Sequence, residues 1–205
     1  EFLGMEPILV DSEKNGFHLD LNIIENILKK DSYIRAIIPV HIGGYKVDIK
    51  NLISLVEKYN IFILEDAAHL IGHQKIDIPD KYDNHAQAYS FYANKNITTI
   101  GEGGALATNN DDLALKVRRL SLHGITKDGW DRYAGGKWKY DVTDLGYKYN
   151  MPDIAASFGL WQLSQIKKLQ DRRKKIAEKY IKGMKNINGI ILPKIDFNQN
   201  SLHLF

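Results

Sequence analysis

The sequence predicts an α/β fold with a largely parallel sheet. Short apolar runs recur along the chain, and stretches of helical periodicity alternate with them. A strand buried on both faces reads as a continuous apolar run, and parallel neighbours need a crossover between them, most often a helix. The composition, 44% hydrophobic and 26% charged over 205 residues, fits an ordinary globular chain rather than a disordered or fibrous one.

Each element has its own signal. The first apolar run is Pro7-Ile-Leu-Val10. The second, Ala36-Ile-Ile-Pro-Val40, follows a helical pattern over residues 23–30. Residues 49–59 read as the next helix, with Leu52, Leu55 and Val56 on one face, and lead to the strand Ile61-Phe-Ile-Leu64. Residues 86–92 and 105–108 are two further strands. Asn110, Asp111 and Asp112 are capping candidates for a helix over residues 113–122. Residues 124–146 are polar and aromatic, with Trp130, Tyr133, Trp138 and Tyr140, and predict a long loop. Loops of that length in compact domains are functional or disordered. Pro152 suits the first turn of a long helix over residues 152–182. Along it Ile154, Phe158, Trp161, Leu163, Ile166 and Leu169 recur at mostly three- and four-residue steps. Gly183 and Gly189 punctuate its end, and residues 190–205 read as the start of a second domain, with a strand at Leu202-His-Leu-Phe205. The chain opens on Glu1 and stops inside that pattern, so a piece of a longer protein is expected.

Several function classes are excluded or disfavoured. There is no cysteine, which rules out disulfides, thiolate metal sites and cysteine nucleophiles. No run of about 18 apolar residues exists to span a membrane, and no signal-peptide pattern opens the chain. A soluble cytoplasmic protein is the expectation. The net charge is only +3, and the one basic cluster, Arg172-Arg-Lys-Lys175, follows an apolar-periodic segment. It reads as a solvated helix face, and no nucleic-acid recognition motif accompanies it.

The chemistry-bearing candidates lie near predicted strand ends. Ile61-Phe-Ile-Leu64 runs into Glu65-Asp66-Ala-Ala-His69. Ligands of open α/β sheets sit at the carboxyl ends of strands. A carboxylate there, Asp66, can bind a metal, hold a ribose hydroxyl or pair with a protonated pyridine nitrogen; a loop acid or helix cap is the plain alternative. Lys95, in Ser90-Phe-Tyr-Ala-Asn-Lys95, follows another strand. A neutral amine is the nucleophile a Schiff base needs, and burial favours the neutral form of an amine. A solvated turn lysine is the plain alternative. Gly101-Glu-Gly-Gly104 matches neither a dinucleotide fingerprint nor a P-loop and reads as a tight turn. His69 and His73, four apart, lack a third metal ligand nearby, and no G-x-S-x-G elbow is present.

Taken together, five stretches resemble one family. They are Ile38-Pro-Val-His41-Ile-Gly43, Leu64-Glu-Asp66-Ala-Ala-His69, Ser90-Phe-Tyr-Ala-Asn-Lys95-Asn, Gly101-Glu-Gly-Gly104 and Leu145-Gly-Tyr-Lys-Tyr149-Asn150-Met-Pro-Asp153. In this order they resemble the DegT/DnrJ/EryC/StrS group of sugar aminotransferases. The stretch Leu122-His-Gly124 and the Gly-Tyr-Lys-Tyr-Asn run look most like members that make 4-amino-4-deoxyarabinose or related 4-amino sugars.

That resemblance carries specific implications. The fold would be the fold type I architecture of pyridoxal-phosphate enzymes. Residues 1–170 would be the cofactor-binding large domain, without its N-terminal part, and residues 171–205 the connecting helix and the start of a small C-terminal domain. Lys95 would form the Schiff base with pyridoxal 5'-phosphate and shuttle a proton. Asp66 would pair with the pyridine nitrogen, and His69 would lie beside the ring. Ser90 would donate to the cofactor phosphate, and Asn150 would reach the phosphate of a neighbouring subunit, which implies a homodimer with shared sites. The substrates would be a nucleotide-linked keto sugar and an amino donor, glutamate, in polysaccharide or lipopolysaccharide synthesis. A sugar dehydratase and a non-catalytic relative are the alternatives; the lysine at 95 argues against the first. The family's Ser-Gly-Thr-type phosphate turn lies outside these 205 residues.

Overall fold

The computed structural model describes residues 3–14, 16–72, 79, 82–126 and 141–205. Its centre is a four-stranded sheet of β1 (Ala36–Ile37), β2 (Phe62–Asp66), β3 (His85–Ser90) and β4 (Gly104–Ala107), in that order across the sheet. The first three strands are parallel, with Ile37 opposite Ile63 and Asp66 opposite Ala88. β4 runs antiparallel, with Gly104 opposite Ser90. The predicted parallel character therefore holds for three strands. The carboxyl ends of β2 and β3 share one edge of the sheet, and the loop that follows β3 turns back along that edge into β4.

Among the described residues the helices are α1 (Leu21–Lys30), α2 (Ile49–Val56), α3 (Asp111–Ser121), α4 (Asp153–Ser164) and α5 (Ile166–Met184). Three start on side-chain caps. Asp20 accepts from Asn22 N, Asp48 from Asn51 N, and Asn110 from Leu113 N. Each satisfies a backbone donor that the first turn leaves without a partner. The core lies between α1, α2 and one face of β2, formed by Ile24, Leu28, Val47, Ile49, Leu52, Val56, Ile61 and Ile63. Burying each of these side chains contributes about 1.5–3 kcal/mol. This packing presses the face of β2 that carries Ile63 onto the helices and leaves the Phe62, Leu64 and Asp66 side half-buried.

Several expectations are corrected. Residues 7–10 form no strand: Leu9 is 94% exposed, and no described strand lies beside it. The run over 36–40 shortens to two paired residues, because Pro39 has no N–H for a ladder; its carbonyl still accepts from Asp66 N, and Val40 makes an isolated bridge to Asp66. The long helix divides at Gln165 into α4 and α5. The break lets two glutamines reach different targets. Gln162 bonds both backbone groups of Thr98, and Gln170 donates to Ser201 O. The apolar stripe on α4 is exposed at Ile154, Phe158, Trp161 and Leu163, and its buried residues are Ala155 and Gly159. The strand expected over 202–205 is a bend instead: Leu202 takes φ 52°, and His203 N and Leu204 N both donate to Gly43 O. Trp130, Tyr133, Trp138, Tyr140 and His73 lie outside the described residues. The stem of the 124–146 excursion is tied by bridges Leu122–Lys148 and Ile125–Val142.

Candidate active site

Side chains alternate across a strand, so Glu65 and Asp66 leave β2 on opposite faces. Glu65 faces inward with Ile63 and is fully buried. His41 Nε2 and Gln87 Nε2 donate to its carboxylate, the latter at 2.9 Å, and His85 Nε2 bonds the same carboxylate. His41 Nδ1 accepts from Val47 N at 3.0 Å, so its proton must sit on Nε2. Burial alone would push the Glu65 carboxyl up, but the hydrogen bonds from His41, His85 and Gln87 outweigh it and bring it down to about 2. Tyr89, whose hydroxyl donates to Gln87 Oε1, is pushed up to about 12 by burial and by the Glu65 charge. Sequence reading missed this network. Period-two alternation was the available signal, since two adjacent carboxylates in a strand cannot share a face.

Asp66 ends β2 with its backbone fixed on both sides, its N donating to Pro39 O at 2.9 Å and its O accepting from His41 N at 3.1 Å. Its Oδ1 accepts from Ala68 N at 3.0 Å, and Oδ2 makes no hydrogen bond among the described residues. His69 lies in the turn that follows. Gly43 N donates to its Nδ1 at 3.2 Å, and its ring stacks on His203 with centroids 4.2 Å apart. Burial lowers the His69 pKa, the Lys95 cation lowers it further, and the Asp66 carboxylate pulls the other way. His69 thus lies within electrostatic reach of both.

Ser90 ends β3. Its Oγ accepts from Tyr92 N at 3.2 Å, which leaves the hydroxyl proton free to donate. Lys95 sits in the turn beyond, half-buried, with its backbone N on Tyr92 O and no ion pair or hydrogen bond to Nζ among the described residues. The turn itself is braced closely. Asn96 Nδ2 donates to Ile71 O and Ser201 O, Thr99 N to Phe91 O, and Ala93 N to Gly101 O. The expected tight turn at 101–104 is present, with Gly101 and Gly103 at positive φ. Ile100 also takes φ 62°, a strained conformation for a β-branched residue.

The structure therefore brings Asp66, His69, Ser90 and Lys95 to one sheet edge. Asn150 stands apart: it is exposed, precedes α4, and accepts from Lys148 Nζ. The donor set at the edge fits pyridoxal phosphate: among the described residues, Asp66 has a carboxylate oxygen without a hydrogen bond for a protonated ring nitrogen, Lys95 an amine without a partner for the aldehyde, and Ser90 a hydroxyl for the phosphate.

An α/β sheet with an amine and a carboxylate at the carboxyl ends of neighbouring strands has the layout of a ligand-binding α/β domain. The model of the DegT/DnrJ/EryC1/StrS aminotransferase family matches residues 2–205, and the chain belongs to that family. It is 38% identical over 206 residues to the spore coat polysaccharide biosynthesis protein SpsC of Bacillus subtilis, covering 98% of this chain and 52% of that protein. The chain thus spans about half the length of the curated relatives it matches. Among solved structures, the PLP-form of a Streptococcus pneumoniae protein described as a sugar aminotransferase, Spr1654, matches at TM-score 0.81 and 29% identity, over 100% of this chain and 55% of that one. Helicobacter pylori PseC, described as an aminotransferase of pseudoaminic acid biosynthesis, matches at TM-score 0.79 and 25% identity, over 98% of this chain and 51% of that one. The fold type I expectation is met by these neighbours. The expected cofactor is met at the level of the family, where Spr1654 is known in both PLP- and PMP-forms.

Proposed function

We propose that this chain carries the lysine-bearing half of a pyridoxal-phosphate aminotransferase that moves an amino group from glutamate to a keto group on a nucleotide-linked sugar, in the synthesis of a cell-surface polysaccharide. The observation that carries it is the meeting of Lys95 and Asp66 at one sheet edge, where both charges act on His69. Residues 1–170 would form the cofactor-binding part and residues 171–205 the link to a smaller domain. The protein would act in the cytoplasm, where nucleotide-linked sugars are made.

When bound, pyridoxal phosphate supplies an electron sink for the charge left at the amino donor's α-carbon. Lys95 Nζ would hold the cofactor's aldehyde carbon and, once displaced, carry a proton from the donor's α-carbon. Asp66 Oδ2 would accept from the ring nitrogen and keep it protonated. Ser90 Oγ–H would donate to the phosphate. His69 Nε2–H, the proton that remains when Nδ1 accepts from Gly43 N, would face the ring's edge. Asn150, which accepts from Lys148, would serve a second copy's cofactor in a homodimer.

The test is product analysis with the intact protein, pyridoxal phosphate, glutamate and a panel of nucleotide-linked keto sugars. Formation of 2-oxoglutarate in step with an amino sugar is expected. Loss of water from the sugar with no 2-oxoglutarate would mark a dehydratase instead.

A further inference from the structure

Residues 200–204 are far from the sheet edge in sequence, yet they close over it. Asn200, Ser201 and Leu202 are buried. Ser201 Oγ donates to His69 O, Ser201 N to Gly44 O, and His203 N to Gly43 O. Gly44 has φ 94°, and a Cβ on it would run into Ser201 Oγ, so only glycine admits this approach. The segment thus delivers His203 onto the ring of His69, at 25° between planes.

The hydrogen bonds around His203 determine its tautomer. Asn96 Nδ2 gives its protons to two backbone carbonyls, Ile71 O and Ser201 O, which can only accept. Asn96 Oδ1 is therefore the atom 3.0 Å from His203 Nδ1, and Nδ1 must carry the proton. Gly43 N imposes the opposite tautomer on His69. Burial, then the charges of His69, Lys95 and Arg173, hold His203 down at about 4, so both rings are neutral near pH 7. A neutral pair stacks without charge repulsion.

We propose that His203 is a positioning residue of the cofactor site: Asn96 fixes it as the Nδ1–H tautomer, and its ring backs His69 so that the His69 Nε2–H is held in place for the cofactor. This rests on the aminotransferase reading for the identity of the ligand. Asn96 adjoins Lys95, so the same contact also ties the C-terminal segment to the turn that bears the amine.

The experiment is nitrogen-15 NMR of the histidine side chains in the intact, cofactor-free protein, followed by pyridoxal-phosphate titration of the same samples. His203 is expected to carry its proton on Nδ1. Asn96→Asp, which keeps an acceptor, preserves that state, and Asn96→Leu releases the proton to Nε2. His203→Ala is expected to shift the His69 ring signals and weaken cofactor binding about 2- to 10-fold, the range of one aromatic stacking pair. His203→Phe, which keeps a ring face, recovers the wild-type affinity, a rescue that a purely structural anchor would not show. A His203 proton on Nε2 in the wild type, or wild-type affinity in His203→Ala, overturns the proposal. The wild-type tautomer decides even where a variant does not fold. Covalent cofactor capture in Lys95→Ala would sink the aminotransferase reading instead, and leaves the tautomer measurement standing.

Discussion

Glu65 and Asp66 are adjacent carboxylates on one strand with opposite surroundings. Glu65 is sealed in, takes hydrogen bonds on both oxygens, and ties β2 to β3 and to the segment after β1. Asp66 spends one oxygen on a local turn, and its other oxygen, at the sheet edge, has no hydrogen bond among the described residues. The difference teaches that charge alone does not mark a functional acid. A fully satisfied buried carboxylate holds the fold, and a partly satisfied one at a strand's carboxyl end is left with capacity for a ligand.

The sharpest way to break this comparison is to remove each acid. Glu65→Leu leaves His41, His85 and Gln87 without their shared acceptor in the interior. It is expected to cost about 3–5 kcal/mol in urea unfolding. Asp66→Asn is expected to change stability by less than about 1 kcal/mol. It should weaken pyridoxal-phosphate binding about 10- to 100-fold, the worth of a hydrogen bond to a charged group. Equal stability losses in the two variants would erase the distinction.

Gly44→Ala comes next. Its φ of 94° and the nearness of Ser201 leave no place for a methyl group, so the 200–204 segment must move. A loss of about 1–3 kcal/mol in unfolding is expected, together with loss of the His69–His203 contact in the same NMR spectra.

Stability should also divide the two regions by pH. His203 and His69 are depressed, so the unfolded chain binds protons that the folded one refuses. Stability from them is full above the ordinary histidine range and falls as pH drops through it toward about 4. Glu65 is also depressed, so its contribution is full above the ordinary carboxylate range and is lost as pH falls toward about 2. The urea midpoint against pH should therefore fall in two stages. His203→Phe diminishes the upper stage and leaves the lower one intact.

The smallest effect is expected at Ile100. Replacing it by glycine relieves a left-handed conformation that costs an L-residue about 1–2 kcal/mol, offset in part by the greater freedom of glycine when unfolded. A gain of up to about 1 kcal/mol in urea unfolding is expected, since Ile100 is 60% exposed and buries little.

The parallel strands were legible from the short apolar runs at 36–40, 61–64 and 86–92, and Asp66 and Lys95 were legible as candidates because both follow such runs. What escaped was non-local. The Glu65 network depends on the register of β2 against β3, which sets His85 and Gln87 around it. His203 meets Asn96 across 107 residues, and no local pattern encodes that meeting. The division of the long helix at Gln165 follows from the different targets of Gln162 and Gln170, which only the folded chain supplies. Residues 7–10 carry a strand's composition without a strand beside them, and apolar content alone does not make a ladder.

The central claim is that Lys95 is the covalent anchor for pyridoxal phosphate. The most direct measurement is the visible absorbance of the intact protein titrated with pyridoxal phosphate, for the wild type and for Lys95→Ala. The wild type is expected to turn yellow, with borohydride fixing the cofactor on the peptide that contains Lys95, and the variant to stay colourless and gain no label. A Lys95→Ala protein that still turns yellow and is labelled elsewhere would contradict it.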